Sequence, residues 1–179
     1  AALAVLAGAL LAGSASAGAP TVQAPSFVVQ SSVDGSTLAA RRPDARRAMA
    51  SITKLMTALV ARRAVGLDEV VVVPAAAAQV GESSLSLRPG QRVTVRDLLL
   101  GTLVPSANDA ATALALHVGD GSLPRFVARM NATARSLGLT GTSYRNPHGL
   151  DQPGHVSTAR DSAALLRAAL ADPFIRRFA

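Results

Sequence analysis

Residues 49–59 read MASITKLMTAL, and they open a helical pattern that runs from Ser51 to Val65 and stops at Gly66. Ser51 and Lys54 are three residues apart, so a helix places them on one face, about one turn from each other. Ser51 then also lies at the N-terminal end of the helix, where the helix dipole is positive. Both features favour a serine nucleophile in contact with a lysine amine.

Lys54 is the only lysine in the sequence, which contains seventeen arginines. Arginine cannot lose its proton to act as a base, whereas lysine can. A lysine base must be neutral, so burial or a nearby charge has to lower its pKa from about 10.4 toward neutrality. The single use of lysine therefore indicates that Ser51 and Lys54 are a nucleophile and its base. The alternative is an ordinary helix lysine.

A second candidate element is Ser106-Ala107-Asn108, which follows a helix predicted over Val95–Val104 and precedes one predicted over Asn108–Val118. This position puts a hydroxyl and an amide in a junction that can reach the first helix. The alternative is an ordinary helix N-cap, because Ser and Asn are both favoured there.

The remaining pattern predicts an α+β domain preceded by an export signal. Residues 1–17, AALAVLAGALLAGSASA, are typical of the apolar region of a signal peptide cleaved after Ala17 or Ala19, and 18–25 form a linker. The domain, 26–179, begins with a hairpin around Asp34-Gly35. The rest follows in chain order: an extended run over 69–73, a loop over 75–90 with a short helix, a capping box at 94–97, a helix over 123–137, a loop over 140–154, and an amphipathic helix that starts at 158 and ends before Pro173.

Composition excludes several kinds of protein. The absence of cysteine excludes disulfides, thiol catalysis and cysteine-bound metals. With 3% aromatic residues, no Trp and a net charge of +7 spread over scattered arginines, no nucleic-acid partner is expected. His117 is predicted to be a core residue on an apolar helix face. The three histidines lie too far apart in the sequence for a zinc site, so no metal or cofactor is expected.

Three longer segments and the hairpin at 28–38 resemble the low-molecular-mass D-alanyl-D-alanine carboxypeptidases, which are penicillin-binding proteins of peptidase family S11. The segments are MASITKLMTAL (49–59), VTVRDLLLGTLVPSANDAATALA (93–115) and YRNPHGLDQPGHVSTARDSAALL (144–166). The Ser-x-x-Lys motif belongs to this group and to class A β-lactamases. The resemblance covers nearly all of residues 26–170 and implies the serine β-lactamase/DD-peptidase fold, an antiparallel sheet with a helical region.

The resemblance also implies roles for the candidate residues. Ser51 attacks the carbonyl of the penultimate D-alanine in a peptidoglycan stem peptide, with Lys54 as the general base. Ser106 relays the proton to the leaving amine, and Asn108 holds Lys54 and the substrate. The Ser51 N–H is an oxyanion donor, and β-lactams acylate the same serine. His148 and His155 have structural roles. An exported protein of the cell envelope is implied, with membrane attachment left open.

One departure from the family pattern concerns its third motif, Lys-Thr-Gly on a closing strand, which the 179 residues do not contain. The expectation is a domain truncated before its closing strands, which by itself lacks enzyme-like turnover. Two alternatives are a class A β-lactamase and a non-catalytic wall- or lactam-binding fragment. The first requires Asp where Ala107 stands and a glutamate in the loop 140–154, which has none.

Overall fold

The computed structural model describes residues 22–179. The predicted signal peptide, its cleavage site and the first four residues of the predicted linker lie outside this part of the chain. From residue 22 onward, no helix has the length and apolar character needed to cross a membrane.

Two pairs of antiparallel strands and seven α-helices make up residues 22–179. The strands are β1 (Phe27–Gln30), β2 (Thr37–Arg41), β3 (Val70–Val72) and β4 (Arg92–Thr94). The helices are α1 (Thr53–Ala64), α2 (Ala75–Ala78), α3 (Val95–Leu103), α4 (Asn108–Val118), α5 (Leu123–Ser136), α6 (Ala159–Ala169) and α7 (Pro173–Phe178). The predicted α+β class is confirmed, although these strands form two separate two-stranded sheets.

The first sheet is the predicted hairpin. Phe27 lies opposite Arg41 and Gln30 opposite Thr37. In the turn, the Asp34 carboxylate accepts hydrogen bonds from the N–H and the hydroxyl of Ser36, at 3.0 and 2.9 Å. Such side-chain bonds to nearby groups stabilise a tight turn. The hairpin packs against α6, near the far end of the chain.

The second sheet pairs β3 with β4 and leads directly into α3. The predicted extended run gives β3, but the sequence pattern does not predict β4, because its three residues lie immediately before a strong helix-start signal. That signal is confirmed: the Thr94 hydroxyl accepts a hydrogen bond from the Asp97 N–H at 3.1 Å and donates one to the Asp97 carboxylate at 2.7 Å.

Helix α4 is the centre of the core and packs against α1, α2, α3 and α5. All of its residues except His117 are buried. Its alanines allow the surrounding helices to approach closely, and larger side chains fill the remaining space: Met56, Leu98, Leu99, Leu114, Phe126 and Met130, all fully buried. The helix that begins with Asn108 is therefore held rigidly.

The prediction that His117 is a core residue is wrong. Its side chain is 25% exposed, and its Nε2 lies 2.7 Å from the Glu69 carboxylate. A helix that is apolar on nearly all sides gives no signal for the one position that faces a charged neighbour from another element.

Helix α7, Pro173–Phe178, was not predicted from the sequence. Pro173 stands at its first position, and the Asp172 carboxylate caps it by accepting hydrogen bonds from the Phe174 and Ile175 N–H groups. Proline is favoured at the first position of a helix, where its missing N–H costs nothing. Pro173, which was predicted to follow the end of one helix, therefore also begins another. Arg62 of α1 holds the N-terminal end of α7 through an ion pair with Asp172 at 3.2 Å.

Candidate active site

Ser51 lies in a 3-10 turn, Ala50–Ile52, that leads directly into α1. The predicted helix therefore starts as a tighter turn, and the first α-helical residue is Thr53. Ala50 has a φ of 45°, an uncommon conformation for a residue with a side chain. The sharp entry leaves Ser51 exposed, immediately before the N-terminal end of α1.

Lys54 is one turn further along and is 3% exposed. Its Nζ lies 3.1 Å from the Ser51 hydroxyl oxygen and 3.1 Å from the Ser106 hydroxyl oxygen. Burial lowers the pKa of Lys54 to about 8, against the opposing influence of the Glu82 charge. The buried amine is therefore neutral in an appreciable fraction of molecules near neutral pH and can accept a proton.

Ser106 lies between α3 and α4 with a φ of 61°. A non-glycine residue in this conformation is strained by about 1–3 kcal/mol and needs support from its surroundings. The Ala107 N–H gives that support by donating a hydrogen bond to the Gly101 carbonyl at 2.9 Å. The structure thus places both predicted serine hydroxyls within hydrogen-bonding distance of the Lys54 amine, although 52 residues separate Lys54 from Ser106.

Asn108, the first residue of α4, is 3% exposed. Its Nδ2 donates a hydrogen bond to the Gly81 carbonyl at 3.1 Å, and its backbone N–H donates one to the Ser83 carbonyl at 2.7 Å. No hydrogen bond joins its side chain to Lys54 among the described residues. The amide group instead holds the segment 81–83 beside the site, and its Oδ1 remains available.

Asp109 was not among the predicted site residues, although a lone carboxylate in the first turn of an apolar helix is an available signal. The residue is fully buried. Its carboxylate accepts hydrogen bonds from the Leu85 and Leu87 N–H groups, each at 3.1 Å, and from the Ser84 hydroxyl at 2.7 Å. Burial opposes its ionisation, but these bonds and one from the Ala110 N–H outweigh it and lower the pKa of Asp109. Asp109 thereby fixes the loop next to Asn108.

The loop that contains Asn146 and Gly149 packs behind the Ser51 turn. The Asn146 side-chain Oδ1 accepts a hydrogen bond from the Gly149 N–H at 2.7 Å, and Thr57 of α1 donates one to the Pro147 backbone carbonyl at 2.6 Å. A Cβ atom on Gly149 would overlap the Ala50 carbonyl and lie 3.1 Å from the Ser51 nitrogen. The close approach of this loop therefore holds the backbone of Ser51 in place.

Two histidines belong to the same region. Burial and then the Lys54 charge lower the pKa of His148 to about 4, so its ring is neutral near pH 7. His155 is 3% exposed; its Nδ1 accepts a hydrogen bond from the Arg145 N–H at 2.9 Å, so its Nε2 donates to the Thr53 hydroxyl at 2.8 Å. His155 thus anchors the first residue of α1.

A cavity of about 260 Å³ opens onto Ser51, Lys54 and Ser106. Its other walls are mostly apolar and include Ile52, Leu55, Leu103 and Leu166. Within residues 22–179, no three His, Asp or Glu side chains are grouped so that they could bind a metal ion. The chemistry that this arrangement can perform is proton transfer among an amine and two hydroxyls next to a small apolar pocket.

The chain is similar in sequence and in structure to known D-alanyl-D-alanine carboxypeptidases and penicillin-binding proteins. D-alanyl-D-alanine carboxypeptidase DacC of Escherichia coli is 39% identical over 149 residues, which are 77% of this chain and 37% of that protein. The structure of penicillin binding protein 6B from Escherichia coli matches with a TM-score of 0.82 at 38% identity, over 87% of this chain and 53% of that one. The Streptomyces K15 DD-transpeptidase matches with a TM-score of 0.82 at 33% identity, over 89% and 65%.

The chain spans less than half of the length of the curated relatives that it matches. The model of the peptidase S11 family, D-alanyl-D-alanine carboxypeptidase, matches residues 13–179. By this match, the resemblance predicted from the sequence is confirmed, and the chain belongs to the peptidase S11 family of D-alanyl-D-alanine carboxypeptidases.

Proposed function

We propose that this protein is a serine-type D-alanyl-D-alanine carboxypeptidase that acts on peptidoglycan stem peptides through an acyl-enzyme. The observation that carries the proposal is the position of the Lys54 Nζ, which is buried and 3.1 Å from both the Ser51 and the Ser106 hydroxyl oxygens. A buried lysine between two hydroxyls can take a proton from one and supply it through the other.

In the acylation step, neutral Lys54 accepts the proton of the Ser51 hydroxyl while the Ser51 oxygen forms a bond to the carbonyl carbon of the penultimate D-alanine. The resulting oxyanion is stabilised by the Ser51 N–H at the positive end of α1. When the tetrahedral intermediate collapses, the bond to the terminal D-alanine nitrogen breaks. The leaving amine takes a proton from the Ser106 hydroxyl, which regains one from Lys54.

In the second step, water attacks the ester carbonyl and gives a proton to Lys54. When this intermediate collapses, the bond from the carbonyl carbon to the Ser51 oxygen breaks, and that oxygen takes the proton from Lys54. The proposed role of the Asn108 Oδ1, which has no hydrogen-bond partner among the described residues, is to accept a bond from the substrate backbone. The apolar walls of the cavity suit the methyl groups of alanine residues. A β-lactam presents a comparable acyl group and should acylate Ser51 as well.

The location that we propose is outside the cytoplasmic membrane, in the cell envelope. The apolar run at residues 1–12 followed by Ala15-Ser16-Ala17 supports export. The proposed substrate, a stem peptide of the cell wall, requires that location.

The test is to express the protein from its complete reading frame and to measure D-alanine release from diacetyl-L-Lys-D-Ala-D-Ala. A fluorescent penicillin should label the wild type at Ser51, identified by mass spectrometry of the labelled peptide, and should not label a Ser51→Ala variant. Labelling that persists in Ser51→Ala would contradict the proposal. Rapid turnover of a chromogenic cephalosporin without peptide hydrolysis would favour the β-lactamase alternative, to which the comparisons give no support. Absence of both labelling and hydrolysis would favour a non-catalytic fragment.

A further inference from the structure

Glu82 lies at the edge of the site, on a backbone that Asn108 holds from both sides. The carbonyl that precedes it, of Gly81, accepts a hydrogen bond from the Asn108 Nδ2 at 3.1 Å. The carbonyl that follows it, of Ser83, accepts one from the Asn108 N–H at 2.7 Å. The Glu82 backbone therefore has a fixed position relative to the residue that opens α4, two residues after Ser106.

The segment that contains Glu82 is anchored at further points. The Ser83 hydroxyl donates a hydrogen bond to the Pro105 carbonyl at 2.9 Å, and the buried Asp109 carboxylate binds the Leu85 N–H. Glu82 itself has a φ of 67°, which costs free energy for a residue with a side chain. A backbone that is strained and bonded on both sides is held in place by its surroundings, so the point from which the Glu82 side chain extends is fixed.

The Glu82 side chain is exposed, whereas Lys54 is buried. Glu82 is the acidic group whose charge acts on Lys54 and opposes the effect of burial on its pKa. The Lys54 charge also acts on His148, which burial keeps neutral near pH 7. Glu82 therefore carries a negative charge whose influence reaches the buried amine of the site.

We propose that Glu82 determines the charge selectivity of this site and favours acyl donors with a positive side chain over those with a negative one. This inference rests on the proposed function, because it concerns which donors reach Ser51. The ligand class it names is a peptide or β-lactam with an ammonium group close to the acyl bond. None of the mechanistic steps uses Glu82, so the residue acts on recognition and not on bond making.

The size of the effect follows from Coulomb's law. Two unit charges several ångströms apart at an exposed site interact by an amount that changes a rate about twofold to fivefold. The acylation rates of cationic and anionic donors change in opposite directions when the Glu82 charge is removed. The ratio of the two rates therefore changes by at least about fourfold. Salt screens exposed charges, and the ratio should therefore fall as ionic strength rises.

The experiment measures acylation rates of the full-length protein with three penicillins at one pH: ampicillin, with an ammonium in its side chain; benzylpenicillin, with an uncharged one; and carbenicillin, with a carboxylate. A change in the Lys54 pKa alters all three rates equally and cancels in their ratios. Glu82→Gln should lower the ampicillin-to-carbenicillin ratio by at least about fourfold. Glu82→Asp should retain the ratio. The matched control is Glu69→Gln, which removes the other glutamate of the chain, away from the site.

An unchanged ratio in Glu82→Gln, with normal acylation, would overturn this inference and leave the proposed function intact. Failure of all three penicillins to acylate the wild type would instead overturn the proposed function. Should Glu82→Gln not fold, Glu82→Gly provides the same test, because glycine adopts a positive φ without strain. The wild type alone gives an independent test: a ratio that does not fall between low and high salt contradicts the proposal.

Discussion

The close approach of Gly149 to the Ser51 turn can be tested by Gly149→Ala. The new methyl group would overlap the Ala50 carbonyl, and the φ of 98° at this position is unfavourable for alanine. The conformational part costs about 1–2 kcal/mol, and forcing an extra methyl into a packed contact costs about 1–3 kcal/mol more. The free energy of unfolding should therefore fall by about 2–5 kcal/mol.

The matched control is Gly138→Ala, where φ is 72° and a Cβ atom would meet no atom within 4 Å. This variant should show the conformational cost alone, about 1–2 kcal/mol. Urea unfolding measures both costs, and the rate of labelling by a fluorescent penicillin measures the effect on the site. Because the clash is relieved only by moving the loop or the Ser51 backbone, Gly149→Ala should slow labelling about a hundredfold and Gly138→Ala should not. Equal stability losses and equal labelling rates in the two variants would refute the reasoning.

Four further predictions use other measurements. Lys54→Arg keeps the charge but should slow penicillin acylation at least about a hundredfold, because a guanidinium cannot act as a base; near-normal labelling would contradict this role. The acylation rate of the wild type should rise with pH and reach half its plateau near pH 8, where Lys54 loses its proton; a rate independent of pH between 6 and 9 would exclude Lys54 as the titrating base. Asp109→Asn should cost about 1–3 kcal/mol in urea unfolding, because an amide NH₂ would face the N–H donors of the loop. Since the pKa of Asp109 is lowered in the folded state, the stability that its ionised carboxylate contributes is present above the ordinary pKa of 3.8 and is lost as the pH falls further. The free energies of unfolding of the wild type and of Asp109→Asn should therefore converge in acid. Mass spectrometry of the exported protein should find an N-terminus at Gly18, or at Pro20 if the second site is used, and a retained segment 1–17 would count against a signal peptide.

Local interactions account for what the sequence analysis predicted well. Helix starts at Thr94 and Thr158 depend on a side chain that bonds a backbone group three residues away, and both caps are present. The hairpin turn likewise depends on adjacent residues. The distance between Ser51 and Lys54 belongs to this class, because the two are one helical turn apart.

Contacts between distant segments account for the misses. Strand β4 exists because β3 lies beside it, and the ion pair of His117 depends on Glu69 of the segment before β3. Asn108 was expected to contact Lys54, yet its Nδ2 binds the Gly81 carbonyl, since the segment 81–87 is bound to α4 through Asp109.

The sequence by itself determined the family, the placement of Ser51 one turn before Lys54 at the start of a helix, and the single lysine that can serve as a base. These features depend on residue identity and on spacings within one turn, which the chain sets before it folds. Only the tertiary structure decided that Ser106 reaches Lys54, that Gly149 supports the Ser51 backbone and that the segment around Glu82 is bonded to Asn108. Each of these depends on the packing of α4 and two loops around α1, and packing joins residues according to shape and burial, whatever their separation along the chain.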